Sequence, residues 1–453
     1  MAVAEDQSCQ FYTLLNDPQS LFSGGYWRFI DTVVFLKGLQ LFLLRRKKRP
    51  DFPYPDTKFN PNTGVDLPSA AYRYLVGWFL GRGAEAFAKH LEVLSELIEE
   101  PMLYREVSEM CHTFVESCSD AIIKTLERNA GRIPFFVDKE SFAAVDCNGN
   151  PVDVDPTVSE PADLFAAKGL LASGDSRKIA IGKQLVRAFI KAGYDGRYLS
   201  EGSVEGRRKE SASWVMLALS CVPWLLRQST SKEEYVEIAN LTAALLKHVL
   251  TYHYDPETGV FFEFLDRDSG CRLPVVLPGH VSEVVGFALQ AIEAVEHYVV
   301  EIPVHVKKEF DFAKSLFPRL FKKAFDLGYN IKYGGMFQAV DGITREVINT
   351  QMPWWNLPET FRAAMRMNFV LNDKNEKERV LKIALRVSND YFINYLNPRL
   401  MFFPFRTRDG SNGRVVDIMP VVPEADPLYH TNLAFLDIKE LMQKRKGALG
   451  IEE

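Results

Sequence analysis

Several stretches of this chain put chemically capable side chains at apparent helix starts. Leu277 to Ala288 reads LPGHVSEVVGFA. Pro278 and Gly279 signal a helix start, and His280 and Glu283 follow three residues apart on one face of its first turn. Pro353 to Ala364, PWWNLPETFRAA, sets Trp354 and Trp355 ahead of Glu359. Pro427 to Phe435, PLYHTNLAF, opens a last helix with His430. Asp163 in EPADLFAAKG, and Trp78 with Arg82 in GWFLGRGAEAF, complete the set. Histidine suits proton transfer near neutral pH. Paired carboxylates suit glycoside hydrolysis, and an arginine suits a developing oxyanion. Each residue also has a plain structural use. A histidine caps or packs, tryptophans fill a core, Glu359 and Asp163 complement helix dipoles, and Arg82 serves as a buried ion-pair donor. The recurrence of such residues at corresponding places along the chain is what points to a shared site.

The elements that would position them repeat. An aromatic, turn-rich segment appears as GRIPFFVDKESFAAVDCNGNP from Gly131, GYDGRYLSEG from Gly193 and DPETGVFFEFLDRDSG from Asp255. It returns as YGGMFQAVDG from Tyr333 and NPRLMFFPFRTRDG from Asn397, with a weaker NPNTG at Asn60. The copies stand roughly 65–75 residues apart, the length of a helix pair plus a hairpin. Alternating aromatics beside DG, SG or NG pairs predict the hairpins. Tyr72–Leu97, Ala162–Ala192, Ser211–Leu226, Val281–Tyr298 and Glu378–Tyr395 carry apolar residues at helical spacing. Six such pairs predict an all-α (α/α)6 barrel over residues 1–453, one domain with loose ends and short β-hairpins at one face. Closure would explain why the inner helices are apolar nearly all round. An open helical solenoid is the alternative. In a closed ring the inner helices start at one mouth, so their first-turn residues converge there.

The bulk composition narrows the function. Of 453 residues 47% are hydrophobic, and 54 Lys plus Arg against 59 Asp plus Glu leave a formal charge of −5. No basic excess points to nucleic acid. The RRKKR run at Arg45–Arg49 reads as a solvated helix end. Phe29–Leu44, interrupted by Asp31 and Lys37, is about 16 residues, too short for a membrane span. The first residues, MAVAEDQSCQFY, lack the pattern of a secretory signal. Six cysteines without CxxC or CxxH spacing predict free thiols in a reducing cytoplasm.

With these motifs in hand, the chain resembles the N-acylglucosamine 2-epimerase family, which includes renin-binding protein, cellobiose 2-epimerases and aldose–ketose isomerases. The family's PGHxxE stands as Pro278, Gly279, His280 and Glu283, and its WWxxxE as Trp354, Trp355 and Glu359. Its late helix start matches His430, and its WxxGR matches Trp78, Gly81 and Arg82. Its helix-opening acid matches Asp163 ahead of LLASGDSRK, and its H…G…E hairpin matches His253, Gly259 and Glu263. The match runs in order from about Tyr72 onward. It departs in four places, the first being that the first repeat lacks the family's GGFF-like loop. Val284-Val285-Gly286-Phe287 follows Glu283 where many members carry Trp, and Asn432-Leu433 stands where an Arg usually follows the late histidine. KESASWVML from Lys209 holds no counterpart of a third histidine.

The resemblance implies proton transfer at the carbon beside a sugar carbonyl. His280 and His430 would face opposite sides of C2, Arg82 would meet the enediolate oxygen, and Glu283 would orient His280 or bind hydroxyls. Trp78, Asp163, Glu263, Trp354, Trp355 and Glu359 would line the sugar. The expected partner is a small-molecule sugar, with no nucleic acid and no membrane; a homodimer is compatible. The scheme requires no metal or other cofactor, and no phosphate-cradling glycine loop supports the nucleotide effector known for some members. Two other readings follow from the same residues. One is an (α/α)6 glycoside hydrolase or lyase drawing a carboxylate pair from Asp163, Glu263, Glu283 and Glu359. The other is a non-catalytic carbohydrate-binding relative.

Overall fold

The computed structural model describes residues 12–199, 209–417 and 424–449. Among them twelve long helices alternate between two concentric layers. The outer layer holds α1 (24–48), α3 (Pro101–Arg128), α5 (Ser176–Tyr194), α7 (Lys232–Tyr252), α9 (Val304–Gly328) and α11 (Lys374–Asn394). The inner layer holds α2 (Gly77–Leu97), α4 (Pro161–Ala172), α6 (Ser213–Arg227), α8 (Pro278–Tyr298), α10 (Asn356–Val370) and α12 (Tyr429–Leu449). Helix α1 passes through a π-helical stretch, Asp31–Leu36. Each inner helix packs against the next, and α12 returns to α2, which closes the ring. This is an (α/α)6 barrel.

The two layers differ as their sequences require. Outer helices α5, α9 and α11 bury one stripe and leave the rest to solvent, whereas α4, α6 and α10 are buried almost throughout. Their starts differ too. Asp175, Ser231 and Asp373 cap the outer helices α5, α7 and α11 with side-chain acceptors. The inner helices α2, α6, α8 and α10 have no side-chain acceptor from the residue that caps their starts.

The predicted hairpins lie at that same mouth and do more than turn the chain. Strand Tyr74–Val76, just before α2, pairs antiparallel with Phe136–Asp138, before α4. Lys209–Ser211, before α6, pairs with Phe264–Asp266, before α8. Val275–Val276 pairs with Ala339–Asp341, and Gln351–Pro353 with Thr407–Asp409. Each pairing stitches one repeat to a neighbour. The segment predicted helical from Tyr72 ends a 3-10 turn at Arg73, runs as a strand over Tyr74–Val76, whose backbone is taken by Phe136–Asp138, and becomes α-helical at Gly77. The hairpin copy that starts at Gly193 runs past 199 and lies partly outside the described residues. The RRKKR run closes α1 as expected, but Arg45 is buried there, paired with Asp56 at 2.8 Å and Asp66 at 3.0 Å. Among the described residues the cysteines are free, and no helix is long and apolar enough to cross a membrane.

The closest helix approach in the ring fixes one residue of the WxxGR string. A Cβ on Gly81 would stand 2.1 Å from the backbone carbon and oxygen of Phe165 on α4, and Gly169 of α4 meets Gly81 in return. Neither backbone can retreat without opening the ring. Gly81→Ala is therefore expected to destabilise the fold by ~1–3 kcal/mol or more, read as a lower midpoint in thermal or urea unfolding. A wild-type midpoint would show that the α2–α4 crossing is not tight.

Candidate active site

The inner-helix starts bring together His280, Glu283, Trp355, Glu359, His430 and Arg82. His280 stands in the first turn of α8, where Pro278 at the first helical position presets the backbone. Its Nδ1 lies 3.1 Å from Oε2 of Glu263, on the hairpin leading into α8. Ser211 donates to the other oxygen of Glu263 at 2.6 Å. The residue holding His280 is thus Glu263, and the KESAS stretch, which lacks a histidine, supplies the hydroxyl that fixes Glu263.

His430, in the first turn of α12, is held in the same way from another repeat. Its Nδ1 lies 3.0 Å from Oε1 of Glu359 and 3.9 Å from Oε1 of Glu283. In both cases a buried carboxylate accepts from Nδ1, which sets the tautomer. Both imidazoles pack on one indole: the centroid of Trp355 is 5.7 Å from His280 and 5.6 Å from His430. Of the tryptophan pair, Trp355 therefore lies between the histidines, while Trp354 is buried in the core.

Arg82 comes from α2 and sits among three rings, its guanidinium carbon 5.2 Å from Trp78, 4.1 Å from Phe165 and 5.1 Å from Tyr429. Its Nε is buried without a hydrogen-bond partner. Its charge acts on both Glu283 and His430. Asp163 is engaged elsewhere. It accepts from the backbone N–H of Ile133 at 2.9 Å and from Arg132 at 3.2 Å, which ties the hairpin to the start of α4. His253 is fully buried, bonded through Nδ1 to the carbonyl of Phe262 at 2.9 Å. Asn432, two residues after His430, bonds His90 at 2.8 Å.

The protonation pattern is asymmetric. Burial, reinforced by the nearby charge of Glu359, pushes Glu283 up to about 8. Burial alone would raise Glu359 as well, but Arg362, at 2.9 Å, and His430 hold it below the usual carboxylate range. Burial lowers His430, keeping it neutral. One carboxyl is protonated and its neighbour ionised, with a neutral imidazole between base and acid roles. Oxygens of Glu283 and Glu359 and a nitrogen of His430 all lie within 4.8 Å of one another, near enough to share a metal ion. The guanidiniums of Arg82 and Arg362 already bring positive charge to the same place.

Behind these residues runs a ladder the motif reading missed. Arg362 pairs with Glu359, Asp437 stands 3.7 Å from Arg362, and Arg366 donates to Asp437 at 2.7 Å and reaches Glu293 at 2.9 Å. Beside it Lys168 pairs with Glu85 at 2.9 Å and donates to the Tyr429 hydroxyl at 2.6 Å. Glu85, Lys168, Arg362, Arg366 and Asp437 are charges buried on the inner helices.

No family model matches the chain, and no curated protein matches it by sequence. Solved structures match it in fold. Cellobiose 2-epimerase from Spirochaeta thermophila is 13% identical over 93% of this chain and 98% of its own, with a TM-score of 0.63. Cellobiose 2-epimerase from Bacillus thermoamylovorans is 13% identical over 89% and 99%, with a TM-score of 0.60. An unsaturated glucuronyl hydrolase specific for heparin is 9% identical over 93% and 99%, at 0.54. The shared fold is the (α/α)6 barrel.

The raised Glu283 makes a prediction with a definite sign. Between the ordinary glutamate pKa of about 4.3 and about 8, the folded chain keeps a proton that the unfolded chain has released. Stability therefore falls as pH rises through that window. Glu283→Gln, neutral at every pH, should melt above wild type at pH 8, and the difference should shrink towards pH 5. A difference constant with pH would mean that Glu283 is ionised in the folded protein.

Proposed function

We propose that this chain is a sugar 2-epimerase or aldose–ketose isomerase, most like N-acylglucosamine 2-epimerase in its motifs. The observation that carries this reading is the pair of glutamate-held histidines packed on one indole. A base and an acid in one site are what proton transfer beside a carbonyl needs. His280 and His430 would each work through Nε2, one removing the C2 proton while the other, or the same one, returns it to C2 or C1. Return to C2 from the opposite face gives the epimer, and delivery to C1 gives the ketose. Arg82 and the positive ends of the inner-helix dipoles would stabilise the enediolate oxygen. Trp355 would offer the sugar an apolar face, and protonated Glu283 a hydroxyl donor.

Fold neighbours named for sugar epimerisation fit this reading, and so does a structure described as D-mannose isomerase, 13% identical with a TM-score of 0.57. A second reading has its own support. A protonated carboxyl beside an ionised one is also what a glycoside hydrolase uses, and a glucuronyl hydrolase shares the fold. Against it, Glu263 and Glu359 each hold a histidine, and Arg362 occupies Glu359 further.

The two readings separate in heavy water. Aldoses, ketoses and N-acetylhexosamines incubated with the protein should show solvent exchange at C2 by proton NMR. His280→Asn and His430→Asn should each lower net conversion by roughly 10²–10⁴-fold, and one of them should retain C2 exchange from the remaining base. Glycoside cleavage that survives both histidine changes but not Glu283→Gln or Glu359→Gln would establish the hydrolase instead.

A further inference from the structure

The barrel has a cavity that is not lined by the residues of the histidine mouth. It occupies about 650 Å³ at the other end of the lumen, among the later turns of α2, α6, α8, α10 and α12. A volume of this order, within the ~300–1,000 Å³ typical of ligand pockets, is large for a packing defect. None of His280, His430, Glu283, Glu359 or Arg82 lines it. Arg362, Lys168, Tyr429 and Phe287 do, so these residues form the floor that separates it from the site above.

The wall of this cavity has unmet needs of both kinds. Arg362 is buried; its Nη1 faces Oε2 of Glu359 at 2.9 Å as an ion pair, and its Nε donates no hydrogen bond, the Asp437 carboxylate at 3.7 Å being beyond reach. Glu85 is buried as well. Its Oε1 accepts from Trp224 at 2.8 Å, while Oε2 faces Lys168 as an ion pair and accepts no hydrogen bond. A buried donor and a buried acceptor left unmet in one cavity ask for a group that is both. A hydroxyl is that group, since it donates once and accepts twice. The same wall carries the indole of Trp224 and the rings of Phe287 and Tyr298, apolar faces for the C–H side of a ring.

We infer that the far end of the barrel is a second binding site for a small polyhydroxylated molecule, a sugar or cyclic polyol, contacting Glu85 and Arg362 and packing on Trp224. The site is independent of the mouth in composition. It communicates with it, because Arg362 forms the wall of one and holds Glu359 in the other.

The test uses binding and not turnover, so it stands whether or not the chain converts sugars. The probe is myo-inositol, a cyclic polyol with no carbonyl and no C2 proton to exchange. Saturation-transfer NMR on the full chain should show inositol bound to wild type and equally to His280→Asn. Ala294→Trp, which fills the cavity without removing a polar partner, should weaken that binding by at least about tenfold. Ala294→Leu serves as the milder filler if the tryptophan disturbs folding, and a wild-type melting temperature certifies either variant. Absence of transfer to wild type, or binding unchanged in a folded filled variant, overturns the assignment.

Discussion

A charge placed in the middle of a helical ring has no water shell to fall back on, and most of this structure follows from how those charges are matched. Closing six inner helices on one another removes solvent from most of the surface of each of them. Glu85, Asp163, Lys168, Glu283, Glu359, Arg362, Arg366 and Asp437 are all buried on these helices. An isolated buried carboxylate or guanidinium costs several kcal/mol. Four of them are arranged in series, each guanidinium between two carboxylates, from Glu359 through Arg362, Asp437 and Arg366 to Glu293, while Lys168 pairs with Glu85 and Asp163 with Arg132. Glu293 is the rung nearest solvent, with 32% of its side chain exposed.

The one carboxylate in the centre without a cation in contact among the described residues is Glu283, and its environment answers by leaving it protonated. The asymmetry between Glu283 and Glu359 is therefore a consequence of where the arginines fall. Arg362 lies three residues after Glu359 on the same helix, one turn away and on the same face. Glu283 is followed by Val284, Val285, Gly286 and Phe287, and a basic residue at Gly286 would have stood in the corresponding place. Gly286 leaves space that the aliphatic stem of Arg362 fills, 3.3 Å from where a Cβ would stand. The helix lacking its own cation thus makes room for its neighbour's.

The ring was legible in the sequence because repetition and periodicity are local signals. Aromatic turns at Gly131, Asp255, Tyr333 and Asn397, with helical spacing between them, report on a few residues at a time. The convergence of His280, Glu359 and His430 was legible for a related reason: once the ring is granted, first-turn residues of inner helices must share a mouth. Pairings across repeats were not legible. That Glu263 holds His280 and Glu359 holds His430 depends on which hairpin lies beside which helix start, and spacing carries no trace of it. Asp163 shows the converse. Its position at the third residue of α4 suits a helix cap as well as a sugar contact, and only the Ile133 N–H and Arg132 beside it assign it to the hairpin. The strands were legible as hairpins but not as stitches between repeats, since antiparallel partners lie a full repeat apart.

The fold alone is shared by epimerases and by a hydrolase, so the choice between those chemistries rests on the site. The decisive geometry is that the best-placed carboxylates point at imidazoles. A glutamate that spends its oxygens on Nδ1 of a histidine raises the basicity of Nε2 and fixes its direction, at the expense of its own availability as a nucleophile or acid. Two glutamates are used in this way, from the α8 hairpin and from α10, and both resulting imidazoles lean on Trp355. A hydrolase would need the reverse arrangement, with carboxyls facing the lumen and histidines in support. The indole also limits what lies between the two rings to something that tolerates an apolar face, as the C–H side of a sugar does. The chemistry proposed for this mouth is thus set less by the presence of histidine than by the glutamates behind it, which commit the histidines to acting.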